Sequence, residues 1–269
     1  MAIKKKYPHT FSVLAYQDSP FIEDCIISLL DQTQKSSILL VTSTPSEFLQ
    51  KIAAKYDLPL YVNPESKGIA SDWTFAYHLG ETPYITLAHQ DDIYFPGYTE
   101  SCCNALSRHV NSLIAFCDYS ELNNGAINEN NPLLLVKKAI LAVVSGQAPA
   151  ISTNFKKKWM LSLGNPVCCP TVVYNKSNIG EFVFNPAYSM NLDWEALIRL
   201  AHIAGAFIYV KEKLVARRIH VGSASTAAIA TKRRHVEDQQ LFRHFWPRPV
   251  ADFIGLFYAA AYYLNNRKI

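Results

Sequence analysis

His89-Gln90-Asp91-Asp92 follows directly on the apolar run Tyr84-Ile85-Thr86-Leu87-Ala88, which Pro83 opens and which Pro96-Gly97 closes off beyond the acids. β-Branched and aromatic residues between turn formers predict a buried strand. Two adjacent carboxylates at the end of such a strand repel each other and resist desolvation. The pair therefore needs a positive partner, and a divalent cation is the first candidate. Capping the positive end of the next helix is the alternative use of the same charges. A third acid, Asp193, opens the segment 193–204, where Trp194, Leu197, Ile198 and Ala201 recur at helical spacing. The helix dipole favours its ionised form there. Arg217, Arg218 and His220 end a late apolar segment. The Arg218 guanidinium suits phosphate oxygens, and the His220 imidazole suits a metal or a diphosphate.

These groups need a frame. The first hundred residues alternate short apolar runs with amphipathic ones. Strands are predicted at Phe11–Tyr16, Ser36–Thr42, Leu58–Val62 and Thr82–Ala88, and helices after Ser19-Pro20, over Pro45–Tyr56 and over Ile69–Leu79. Short strands with helical crossovers imply a parallel sheet with helices on both faces, and such sheets bind ligands outside the carboxyl ends of their strands. Asp91 and Asp92 fall at such an end. Further on, a helix is expected over Pro96–His109 and a strand over Leu113–Asp118. A loop is expected over Glu121–Pro132, then a helix with an irregular basic connection over Lys137–Trp159. Strands are expected over Pro170–Tyr174, Ala206–Val210 and Leu214–Ile219.

The chain has 269 residues, 49% of them hydrophobic and 18% charged, with a net charge of +4. That describes a globular protein with a sizeable core and gives no case for a nucleic-acid partner. The basic clusters Lys4–Lys6, Lys156–Lys158 and Lys232–Arg234 read first as solvated faces. Cys25, Cys102, Cys103, Cys117, Cys168 and Cys169 match neither a disulfide framework nor zinc spacing, and reduced buried thiols fit best. Cys168 and Cys169 have no local base and are expected to be structural. Trp159, Trp194 and Trp246 are expected in the core. No apolar leader follows MAIKKK, and no run of eighteen apolar residues occurs. Leu133–Val144 and Phe253–Leu264 are read as buried helices rather than membrane contacts.

Five stretches, in order, resemble family 2 glycosyltransferases: FSVLAYQDSPFIEDCIISLLDQT, NPESKGIASDW, HQDDIYFPGY, LDWEALIRLA and ARRIHVGSAST. The resemblance implies a GT-A fold, an α/β scaffold with a mostly parallel, Rossmann-like sheet flanked by helices. It implies one domain over 1–269, with a nucleotide-sugar half at 1–120, an acceptor half at 121–226 and a helical extension at 227–269. It implies inverting transfer from a nucleotide-diphosphate sugar to an acceptor hydroxyl on a glycan or lipid-linked acceptor, with Mn2+ or Mg2+ as cofactor. By the same likeness Asp193 is the catalytic base, and Asp91, with His89 and His220, holds the metal. Ala15, Tyr16, Thr42, Ser43, Gly68, Asp72, Gln90, Asp92 and Arg218 meet the donor. The chain is expected in the cytoplasm, with a peripheral contact at the inner membrane face as a further option.

Three positions depart from the family pattern. His89 stands in place of the first acid of the metal motif, Thr42-Ser43-Thr44 in place of acids after the second strand, and Leu192 in place of the Glu before Asp193. The first departure keeps open a silent domain that binds sugar or nucleotide without transfer. A nucleotidyltransferase also uses paired acids on a parallel sheet, but it wants a Gly-rich basic loop after strand one, and Ala15-Tyr16-Gln17-Asp18 is not one.

Overall fold

A computed structural model describes residues 7–128, 132–220 and 233–266. Lys4–Lys6, Lys232 and the Ser and Thr residues that follow His220 in the late motif lie outside the described residues. The first half alternates as its periodicities require: β1 His9–Ala15, α1 Ile22–Leu30, β2 Ser37–Thr42, α2 Glu47–Lys55, β3 Leu60–Val62, α3 Ile69–Leu79 and β4 Tyr84–His89. β5 Ile93–Tyr94, α4 Tyr98–Ser107, β6 Ser112–Asn123 and β7 Ala126–Asn128 follow. Then come α5 Pro132–Ser145, β8 Ala150–Ile151, α6 Asn154–Leu161, a 3-10 turn at Cys169–Thr171, β9 Val172–Asn175 and α7 Lys176–Ile179. α8 Leu192–Ala201, β10 Ala206–Ile219, α9 Arg233–Phe242 and α10 Arg248–Asn266 complete the described chain.

The strands form one sheet in the order β3-β2-β1-β4-β9-β6-β10-β5, with β7 on β6 and β8 on β10. β1, β2, β3 and β4 pair in parallel, as do β6 and β10, while β9 runs antiparallel between β4 and β6. Both faces are covered. Ile22, Cys25, Ile26 and Leu29 of α1, Leu49 and Ile52 of α2, and Cys102 and Leu106 of α4 pack into one apolar layer. Trp73 and Tyr77 of α3, Met160 of α6 and Trp194, Leu197 and Ile198 of α8 pack into the other. A sheet buried on both sides explains why its strands read as nearly continuous apolar runs.

Four expectations are corrected. The loop expected over 121–132 begins as strand: β6 runs to Asn123 and turns back through Asn124-Gly125 into β7. Both turn residues have positive φ (48° and 79°), which an Asn-Gly pair accepts readily in a tight hairpin. The two late strands are one, because β10 stays paired to β6 across register shifts between Val210 and Val215. The basic connection after Lys137 is built of α5, β8 and α6. Within it Lys157 is fully buried, its ammonium donating to the carbonyls of Ile203 (2.6 Å) and Gly205 (2.9 Å), so Lys156–Lys158 is not simply a solvated face. Trp194 is buried as expected and Trp246 is packed against the core, but Trp159 is 37% exposed. All six cysteines are free thiols, five of them buried.

Gly205 sets the start of β10. Its φ of +135° is a glycine conformation, and a Cβ there would lie 2.6 Å from the Asn111 carbonyl oxygen. Gly205→Ala is expected to lower stability by about 2–4 kcal/mol, read as a fall in the urea midpoint at unchanged slope.

Candidate active site

The carboxyl ends of β1, β2 and β4 open on one side of the sheet, and their loops hold one another. Gln90 accepts from the Tyr16 amide (3.0 Å) and donates to the Tyr16 carbonyl (2.9 Å). The Gln17 amide donates to the Thr44 hydroxyl (2.7 Å). Asp72, in the first turn of α3, accepts from the Ser43 hydroxyl (2.7 Å) and from the Asn63 side-chain amide (2.8 Å). The carboxylate missing from the end of β2 is thus delivered to the same place from α3. Gly68 caps α3 at φ 108°, a backbone shape that glycine permits. Ala15, Tyr16, Thr42, Ser43, Asp72 and Gln90 therefore lie on one strand-end rim, with Gly68 at the start of the helix that supplies Asp72.

At the end of β4, His89, Asp91 and Asp92 each place a ligand atom within 4.8 Å of the others. Asp92 is buried, and its Oδ1 accepts from the Arg218 amide at 2.8 Å. Burial, and then the charge of Asp91, raise its carboxyl well above the ordinary carboxylate range. His89 Nδ1 stands 3.9 Å from Asp92 Oδ2, and its Nε2 is buried without a hydrogen-bond partner. Burial lowers the imidazole's pKa, against the pull of Asp91 and Asp193. Neutral imidazole is the ligating form. Two carboxylates beside a buried imidazole with an unsatisfied nitrogen form a donor set that suits a divalent cation, Mn2+ in particular.

β10 braces this cluster. Arg218 donates from Nε to the Asp91 carbonyl (2.9 Å) and from its terminal nitrogen to Asp24 (3.0 Å), and it lies 4.4 Å from the Phe21 ring centre. Its guanidinium is thus engaged in fixing the acidic turn. His220 Nε2 meets Asp91 Oδ2 at 3.0 Å, and His220 is not one of the three residues whose ligand atoms cluster. The neighbouring Arg217 lies 3.9 Å from Glu121, and the charges of Arg217 and Arg218 both favour the ionised form of Asp92.

Asp193 lies in the first turn of α8, whose Trp194 is buried against Phe242 and Tyr258 and donates to the Leu161 carbonyl (3.2 Å). Asn165 donates to Asp193 Oδ2 at 2.9 Å. Burial raises the Asp193 carboxyl, while the Trp194 amide and the charges of Arg234, Lys137 and His89 work in the opposite direction. The charges of Asp193 and Asp92 both act on the Cys169 thiol in the 3-10 turn. Burial pushes the Cys168 thiol up to about 12 and the Cys169 thiol well up, which removes both as nucleophiles at neutral pH. Glu195 faces away, held by Arg199 (2.9 Å) and Asn185 (3.2 Å).

The sequence profile of glycosyl transferase family 2 matches residues 10–182. The chain belongs to glycosyl transferase family 2. The matched region holds the strand-end rim and the His89–Asp92 turn, while Asp193, Arg218 and His220 lie beyond it. Solved structures share the fold at low identity. The mannosyltransferase PcManGT from Pyrobaculum calidifontis, in complex with GDP-Man and Mn2+, is 13% identical over 97% of this chain and 72% of its own, with a TM-score of 0.61. S. aureus TarS 1–349 in complex with UDP-GlcNAc is 13% identical over 91% and 70%, at 0.61. Glucosyl-3-phosphoglycerate synthase from Mycobacterium tuberculosis, with Mn2+, UDP-Glc and phosphoglyceric acid, is 12% identical over 90% and 81%, at 0.62. Of a longer S. aureus TarS chain this protein spans 42%. No curated protein matches it in sequence.

Sequence patterns gave no hint of Glu237. It is buried on α9 and accepts from the amides of Ser189 (3.0 Å), Met190 (2.8 Å) and Asn191 (2.9 Å), the residues that lead into α8. Asp238 adds a bond from the Asn191 side chain (2.7 Å). Only the acidic pair in Arg233–Phe242 could have flagged it, and its partners are backbone groups. Glu237→Ala leaves three N–H groups without their acceptor and is expected to cost about 2–4 kcal/mol. It is expected to loosen the entry to α8 and to leave the strand-end rim intact, read as a lower melting temperature with an unchanged overall circular dichroism spectrum.

Proposed function

We propose that this protein is an inverting glycosyltransferase that takes a sugar from a nucleoside-diphosphate donor and uses Asp193 as general base. The observation that supports this reading is that Asp193 and His89 of the acidic cluster, far apart in sequence, lie close enough for the charge of each to act on the other. The solved relatives support the donor class, since they bind UDP-GlcNAc, UDP-Glc or GDP-Man, two of them with Mn2+. The nucleoside rests on the rim of Tyr16, Thr42, Ser43, Asp72 and Gln90, with the diphosphate towards the acidic turn. His89, Asp91 and Asp92 hold a divalent cation, which when bound supplies positive charge against the departing diphosphate. Arg217 adds a fixed cation from β10, while Arg218 and His220 keep the turn in shape.

Asp193 takes the proton of the acceptor hydroxyl as that oxygen attacks the anomeric carbon and the bond to the diphosphate breaks. One base and one displacement invert the anomeric configuration. Asn165 and Glu237 position the base. The donor half is 1–120, the acceptor half 121–226, and 227–269 is a helical extension of the same working unit. The sugar passes to a cell-surface glycan or a lipid-linked acceptor.

Asp193→Asn tests the mechanism. Transfer is expected to fall by at least about 1,000-fold, within the range that general base catalysis supplies, while nucleoside-diphosphate affinity holds. Stability is expected to stay level or rise: a carboxyl whose pKa burial has raised is penalised when ionised, so at pH 7 the neutral amide removes that penalty. Full transfer activity in the variant sinks the assignment. The pH profile is a separate check. The base works ionised and its pKa is raised, so the acidic limb of kcat/KM should lie above the value of about 4 of an exposed aspartate. His220→Ala, which strips Asp91 of its partner, is expected to weaken Mn2+-dependent nucleotide binding about 10–100-fold, read by calorimetry.

A further inference from the structure

Beside Asp193 lies an apolar groove of about 390 Å³ between α5, α10 and the turn at Leu163–Pro166. Val136 and Ile140 line one wall, Phe253, Ile254 and Phe257 the other, and Leu163 the floor. Val136, Phe253 and Phe257 are 57%, 63% and 62% exposed, a concentration of open apolar surface that marks a binding site rather than scattered surface residues. The groove is built in. Gly164, at φ +127°, has no Cβ, and one placed there would lie 2.5 Å from the Tyr258 ring, so the glycine lets α10 settle on this turn. The next residue, Asn165, both lines the groove and donates to Asp193 Oδ2. Lys137 also lines it, and its charge reaches Asp193. The groove is therefore joined to Asp193 through Asn165, and no residue of the β1, β2 and β4 rim lines it.

We propose that this groove binds the aliphatic chain of an amphiphilic acceptor whose hydroxyl is delivered to Asp193. The occupant follows from continuity and chemistry. The lining is aliphatic and aromatic apart from Lys137 and Asn165, and Asn165 is the residue that donates to Asp193. A second protein copy over the same face would close the acceptor's path. The proposal rests on the glycosyl-transfer reading and specifies the acceptor class for that site.

Calorimetric titration with n-alkyl β-glucosides of one, four, six and eight carbons, below the micelle-forming concentration, tests it with a constant head group. Affinity is expected to rise about threefold to fourfold per methylene that enters the groove. Val136→Asp and Phe257→Asp, both at exposed positions that the fold tolerates, should flatten the gradient. Val110→Asp, on an exposed residue elsewhere, should keep it. Circular dichroism and the melting temperature check folding. A flat series in the wild type overturns the proposal, as does a gradient that survives both groove variants. So does sedimentation showing a wild-type dimer that Phe257→Asp dissociates, which would give the groove to a second copy. Titration of the wild type with UDP, GDP, CMP and dTDP in the presence of Mn2+ separates the two readings. Nucleotide binding with no alkyl gradient removes only the groove proposal, whereas loss of all nucleotide binding removes the transferase reading beneath it.

Discussion

Two carboxylates set side by side at the end of a buried strand are the constraint around which this protein is organised. Asp92 is buried and Asp91 partly so, and burial together with the charge of Asp91 raises the cost of ionising Asp92. The chain offsets part of that cost with backbone and side-chain groups from the far end of the chain: the Arg218 amide on Asp92, the Arg218 guanidinium on the Asp91 carbonyl, and His220 on the Asp91 carboxylate. None of these neutralises both acids. The residual negative field, beside a buried imidazole nitrogen with no partner, is what makes the turn a seat for a cation.

The fold is arranged to deliver those distant groups. β10 must end next to β4 although β9 and β6 lie between them in the sheet. It does so because its bulged course past Val210 carries it to β5, the short strand directly after the acids, with Val215 opposite Tyr94 and Ala216 opposite Ile93. The end of β10 is thereby brought onto the acidic turn after β4, although the two are more than a hundred residues apart in sequence. α8 is held by Trp194 in the core and by Glu237 at its entry, which fixes the helix start that carries Asp193.

The first half of the fold was legible because each element there is decided locally. Period-two and helical patterns alternate cleanly, and Pro45, Asn63-Pro64 and Pro83 mark their limits. The His89–Asp92 cluster was legible because adjacent acids at the end of an apolar segment need a reason, whereas the expectation for Asp193 came from the family resemblance and not from its local sequence. What failed to show was decided by long-range pairing. That Arg218 meets both acids depends on the phase of a strand whose bulges sequence does not reveal. Glu237 acts on backbone amides, which carry no side-chain signature. Lys157 looked solvated because only the carbonyls of Ile203 and Gly205 explain its burial. The Asn124-Gly125 hairpin could have been read, since that dipeptide is itself a turn signal; the surrounding polar residues masked it.

The central claim is that His89, which replaces an acid of the family pattern, serves as a nitrogen ligand in the cation site. Pulsed electron paramagnetic resonance of Mn2+ bound to the protein with a nucleoside diphosphate reads this directly, with protein labelled with 15N at histidine as the control. The account predicts an imidazole nitrogen coupling to Mn2+ that changes with the label and disappears in His89→Ala. A spectrum showing only phosphate and oxygen ligands, unchanged by the label and by His89→Ala, would contradict it.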